Sequence, residues 1–137
     1  MATIKINTGI KVFDIEDENG QIRGQIKIDP SDVNLYPRAL KLIENIESYK
    51  DGIADDADDI QLITEIDQKI KAEINALFDD ENCSDVVFGN KNCLSTLNGI
   101  TFVERFLTAI LPIIKKEADK EAEKSKKRIE KYTSQVK

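Results

Sequence analysis

Carboxylates are the side chains most able to do chemistry in this chain, and they gather in two places. Asp55, Asp56, Asp58 and Asp59 crowd one short stretch. Such a cluster of oxygens could hold calcium. A loop of the EF-hand type needs oxygen ligands at alternate positions, a glycine at the sixth and a glutamate at the twelfth. Counted from Asp56, the fifth and sixth positions are Ile60 and Gln61, so the pattern fails. Acids that open a helix complement its dipole, and that is the better reading of the cluster. The second group is Asp14, Glu16, Asp17 and Glu18. Paired carboxylates do acid–base work when their surroundings push their pKa values apart. These flank a turn at a strand end, where nothing nearby would tune them, and they read as solvated turn residues.

Other routes to chemistry are thin. The chain has no histidine, which removes the commonest proton-transfer group near neutral pH and the commonest metal ligand. Cys83 and Cys93 lack the two further ligands a zinc site needs and the export context a disulfide framework needs. They read as two reduced thiols near a loop. Ser95 and Thr96 have no histidine to activate them. The spacings Gly20/Gly24 and Gly89/Gly99 match neither phosphate-binding loop. No cofactor and no metal is expected, and the residues favour binding over catalysis.

Charge divides the chain. Of 137 residues, 1–114 carry 11 Lys/Arg and 21 Asp/Glu, a net −10, whereas 115–137 carry nine and five, a net +4. An acidic body would be repelled by a phosphate backbone, so nucleic-acid binding would be confined to the tail. There Lys124, Lys126, Lys127 and Arg128 form a dense patch, with Lys131 one turn on, but interleaved glutamates dilute its field. The reading kept for this segment is a helix that docks on a protein through Ile129, Tyr132 and Val136, with Lys127 and Arg128 beside them. A solvated, frayed terminus is the plainer alternative. The longest strongly apolar run, Phe106 to Ile114, is too short to cross a bilayer. The opening Met1-Ala2-Thr3-Ile4-Lys5 lacks a signal-peptide layout, and an intracellular protein is expected.

The elements that must carry these groups follow from hydrophobic spacing. Ile4 and Ile6 alternate with polar neighbours, Asn7-Thr8-Gly9 suits a hairpin turn, and Ile10 to Ile15 suits a second strand. The turn Glu18-Asn19-Gly20-Gln21 then leads to Ile22, Ile26 and Ile28 on one face, broken by Gly24. A three-stranded antiparallel meander with one apolar face is expected. Asp29-Pro30-Ser31-Asp32 signals a helix start, and Leu40, Ile43 and Ile46, widened by Leu42 and Tyr49, mark a helix ending near Asp51-Gly52. Ile60, Ile63, Ile66, Ile70, Ile74 and Leu77 mark the most regular helix, opened by the acidic cluster. Ser84 to Gly89 reads as one short capped turn. A last helix is expected from near Asn98-Gly99, with an apolar face of Ile100, Val103, Phe106, Leu107, Ile110, Leu111 and Ile114, and a kink at Pro112. The expected fold is therefore α+β: a meander on a bundle of about three helices, one domain over residues 1–114, and a charged helical extension over 115–137.

Several stretches resemble a known family. They are Ile4-Lys5-Ile6-Asn7-Thr8-Gly9-Ile10-Lys11-Val12-Phe13-Asp14-Ile15, Ala76-Leu77-Phe78-Asp79-Asp80, Val86-Val87-Phe88-Gly89-Asn90-Lys91-Asn92-Cys93-Leu94 and Phe102-Val103-Glu104-Arg105-Phe106. Together they resemble the tail assembly chaperones of bacteriophages that infect Gram-positive bacteria, over most of the chain from residue 4 to about residue 107. The resemblance implies a short N-terminal β element, a helical body and a variable charged end. It implies a non-enzymatic protein of the host cytoplasm that coats the tape measure protein during tail assembly. The partner expected is a protein, with self-association into a homo-oligomer also open. The alternatives are a phage-encoded inhibitor of a host protein or defence complex, using the acidic face as a nucleic-acid mimic, and a head–tail structural component of the virion.

Overall fold

A computed structural model describes residues 2–54 and 59–135. The fold is α+β: an N-terminal antiparallel hairpin packed on several helices, with a long helix at the C-terminal end. Strand β1 (Lys11–Glu16) pairs with β2 (Ile22–Ile28), Phe13 opposite Ile26 and Lys11 opposite Ile28. The turn between them is held by the Asp17 carboxylate, which accepts from the Asn19 and Gln21 amides, and Gly20 takes φ +76°. The carboxylate crowding there serves the turn. A bulge between Ile15 and Glu16 shifts the register, and Ile22, at the far end of the hairpin, is exposed rather than in the row of Ile26 and Ile28.

The expected third strand is not formed. Residues 2–10 form no strand and are exposed. The turn chemistry at Asn7-Thr8-Gly9 is nonetheless present. The Gly9 amide donates to Asn7 Oδ1 at 3.0 Å and Gly9 takes φ +72°. Asn7, Thr8 and Gly9 border one cleft with Pro30, Ser31 and Glu121, and the residues before them add no strand to β1.

Helix α1 (Leu35–Ala54) holds Pro37 in its first turn and runs through Gly52, which does not stop it. Of the expected stripe, Leu42 and Ile46 are buried and Ile43 and Tyr49 pack against the core, whereas Leu40 is exposed and Leu35 and Ala39 are buried instead. Helix α2 (Ile60–Leu77) is capped by Asp59, whose carboxylate accepts from the Leu62 amide at 3.0 Å. Asp55, Asp56 and Asp58 lie outside the described residues. The α2 stripe buries Ile66, Ile70, Ile74 and Leu77 as its spacing predicts, while Ile60 stays exposed. Helix α3 (Cys83–Phe88) ends at Gly89, as expected.

The α3 helix packs on the hairpin at Gly24, where a Cβ would come within 2.7 Å of a Val86 methyl. Gly24 is thus the gap through which helix and strand approach, and its φ of +156° suits glycine as well. Phe106, from the last helix, meets Phe78 and Phe88 edge-on with ring centres 6.1 and 6.0 Å apart. These rings and the isoleucines of β2, α1 and α2 form one core.

Candidate partner-binding surface

The root of the last helix is built from local sequence chemistry. Asn98 and Gly99 both take positive φ, +56° and +80°, and close a two-residue hairpin between β3 (Thr96–Leu97) and β4 (Ile100–Thr101). Two positive-φ residues in such a loop give a type I′ turn, which asparagine followed by glycine favours. The helix therefore begins later than expected, as α4 (Phe102–Gln135). Thr101 and Glu104 cap it reciprocally. The Glu104 amide donates to Thr101 Oγ1 at 3.2 Å, and the Thr101 amide donates to Glu104 Oε2 at 3.4 Å. Glu104 also pairs with Lys50 of α1, which holds its carboxyl below the usual carboxylate range and raises the lysine. Arg105 donates to the Leu97 carbonyl at 2.7 Å and ties the small hairpin to the helix.

From this root α4 runs unbroken past Pro112, whose ring faces solvent. Val103, Phe106, Leu107, Ile110 and Ile114 face the core. Packing continues one turn beyond the expected boundary at residue 114. Glu117 is buried and pairs with Lys11 of β1 at 2.5 Å, so the Lys11 ammonium holds its carboxyl below the usual range. Residues 122–131, after Glu121, are exposed. At about 1.5 Å per residue, the helix beyond that point adds roughly 20 Å.

Of the residues expected to dock, Lys127, Arg128 and Ile129 lie together on this projecting stretch, and Ile129 is 66% exposed. The backbone at Tyr132 is helical, its side chain is outside the described residues, and Val136 lies outside them altogether. Lys127 also lies on one side of α4 with Lys116, Asp119, Lys120, Glu123 and Lys124, a mixed-charge surface. Sequence reasoning missed the other exposed apolar set, because it placed those residues in a sheet. Ile4 and Ile6, in the arm over residues 2–10, are 88% and 78% exposed.

The remaining polar features are structural. Asp67, 8% exposed, sits on the apolar face of α2. Its Oδ1 accepts from the Cys93 amide at 2.8 Å, and its Oδ2 lies 3.2 Å from Lys71 Nζ. Lys71 in turn donates to the Lys91 carbonyl at 2.8 Å. The three groups staple the loop after α3 onto α2. Burial pushes both thiols up, Cys83 to about 12, and Asp67 adds to the rise at Cys93. A buried thiol with raised pKa is a weak nucleophile and a weak ligand. A cleft of about 470 Å³ between the hairpin, α1 and α2 contains Lys27, Asp29, Asp32 and Arg38. Arg38 there donates to the Ala76 carbonyl at 2.9 Å, with Asp32 at 3.9 Å. Among the described residues, no group of three or more Asp, Glu or Cys could hold a metal ion, and no helix is long and apolar enough to cross a membrane. No protein-family model, curated protein or solved structure matches the chain.

Proposed function

We propose that this protein is a non-enzymatic tail assembly chaperone of a bacteriophage infecting a Gram-positive host, and that it holds the tape measure protein through the projecting part of α4. One observation carries the reading. A helix that is firmly packed to Glu117 continues past Glu121, exposed over residues 122–131, and presents Ile129 directly after the basic run Lys126-Lys127-Arg128 and before Glu130. A helix alone in water is marginal, but one that extends a packed helix has its nucleation already supplied. Such an element is ready to lay an apolar residue and a basic rim along another helix. The acidic body keeps the complex soluble, since a net charge away from zero resists association. The resemblance noted at residues 4 to about 107 supplies the partner class, a long helical protein that aggregates when uncovered.

Co-expression with a helical fragment of the tape measure protein tests the reading. The full chain is expected to bring the fragment into the soluble fraction and to co-purify with it. A chain truncated after Glu121 is expected to stay folded and lose that ability. A fragment that is equally insoluble with and without the full chain would refute the proposal. Presence of the chain in finished particles would favour a structural role in the virion instead.

A further inference from the structure

The hairpin and the arm are each incomplete, and each has what the other lacks. A two-stranded sheet is marginal, and its open edges invite a further strand. Among the described residues the outer edge of β1 makes no backbone hydrogen bond. The arm carries two isoleucines at strand spacing, belongs to no sheet and leaves both almost wholly exposed. We infer that the arm of one copy adds as an antiparallel third strand to β1 of a second copy, and that the exchange is reciprocal in a two-fold dimer.

The register follows from the side chains. Phe13 and Ile15 are the β1 residues packed against the core, while Val12, Asp14 and Glu16 face outward. Setting Ile4 opposite Phe13 places Ala2 opposite Ile15 and Ile6 opposite Lys11. Both arm isoleucines then join the core-side face. Lys5 falls on the outer face opposite Val12 and diagonal to Asp14, which its charge complements. A shift by one position would move both isoleucines to the solvent face.

The same register within one copy would need residues 7–10 to turn back toward β1. In the structure they do not do so: the Gly9 amide donates to Asn7 Oδ1 in a local turn beside Pro30, Ser31 and Glu121, and β1 pairs with β2 alone. A second copy supplies an edge for the arm that its own sheet does not use here. With two-fold symmetry each dimer gains the contact twice.

Light scattering on the full chain at tens of micromolar should give the mass of two chains, and the I4K/I6K variant should give the mass of one with unchanged circular dichroism. Thr3 and Asp14 would lie opposite each other on the outer face, so mixing the single variants T3C and D14C under mild oxidation should yield a disulfide-linked heterodimer. A one-chain mass for the full chain would overturn the inference. So would a dimer that survives I4K/I6K, or a T3C/D14C double variant that closes its disulfide within one chain.

Discussion

Asp67 offers the sharpest test of how the body is held together. Replacing it with alanine removes the acceptor of the buried Cys93 amide, 2.8 Å away, and the carboxylate that faces Lys71 at 3.2 Å. A buried donor left without a partner costs about 1–3 kcal/mol. The pair with Lys71 is mostly shielded from water, with side chains 12% and 19% exposed, and adds about 1 kcal/mol as a charged contact. D67A should therefore lose about 2–4 kcal/mol, a fall in Tm of roughly 10 °C for a chain of this size. D67N keeps an oxygen for the Cys93 amide and should lose about 1 kcal/mol. Thermal unfolding followed by circular dichroism gives the ranking. Reaction of Cys93 with an aromatic disulfide under native conditions reports whether the loop has come loose. The rate should rise in D67A and barely move in D67N. Equal, small losses in the two variants, with Cys93 still protected in both, would refute the staple and leave loop anchoring to packing alone.

Further outcomes follow from other contacts. G24A should destabilise by about 1–3 kcal/mol through overpacking and backbone strain. The G24A/V86A pair should recover only the overpacking part, since the φ of +156° is unchanged; melting curves of the three proteins decide it. Glu104 and Glu117 have folded-state pKa values lowered chiefly by hydrogen bonds from Lys50 and Lys11. Their stabilisation is present above the unfolded carboxylate value, about 4.3, and is lost as pH falls through the lowered folded values. Tm should accordingly drop on acidification below that point, and K11M/K50M should flatten the drop. Truncation after Glu121 should change stability by less than about 1 kcal/mol, because residues 122–131, which it removes, are exposed. Truncation after Lys116 also deletes the buried Glu117 and strands Lys11, and should cost measurably more in the same melts.

What could be read in advance was whatever depended on one element alone. The α2 stripe of Ile66, Ile70, Ile74 and Leu77 lies where a 3.6-residue period puts it, and the Glu18–Gln21 turn closes as its residues demand. Failures came where a second element decides. In α1 the buried face is set by Ala39 and Leu42, and no local pattern shows that a small alanine, rather than Leu40, meets the core. Asp67 stood visibly out of place in an apolar stripe, but its partner is an amide 26 positions away. The β3–β4 hairpin was legible and was overlooked. Asn98-Gly99 and the spacing of Thr101 and Glu104 are a turn signal followed by a capping box, but strands of two residues leave no alternation to notice. The residues expected to dock, Lys127, Arg128 and Ile129, could be placed on an exposed helix from composition, since few apolar groups follow Lys115.

The distribution of exposed apolar groups bears on what the molecule grips. The main stripes of the body are spent on its own core, and Val33, Leu40 and Ile60 are single exposed residues of a kind every protein surface carries. Val12 and Ile22 are exposed on the β1–β2 hairpin, and Leu97 and Ile100 are paired and exposed on β3–β4. The two ends of the described chain add an arm with Ile4 and Ile6 and a projecting helix with Ile129. Their chemistry differs in a useful way. An arm with strand alternation recognises a sheet edge, and β1 supplies one on every copy. A basic helix with an exposed isoleucine suits another helix. The two ends thus suit different partners, and occupying one leaves the other free. Lys11 and Glu117 join the roots of both, 106 positions apart, so the arm and the helix leave the body from one fixed point. A dimer formed by arm exchange would hold two such helices in a defined relation, and a long helical partner could then be engaged at two points, with the gain in effective concentration that a second linked contact brings.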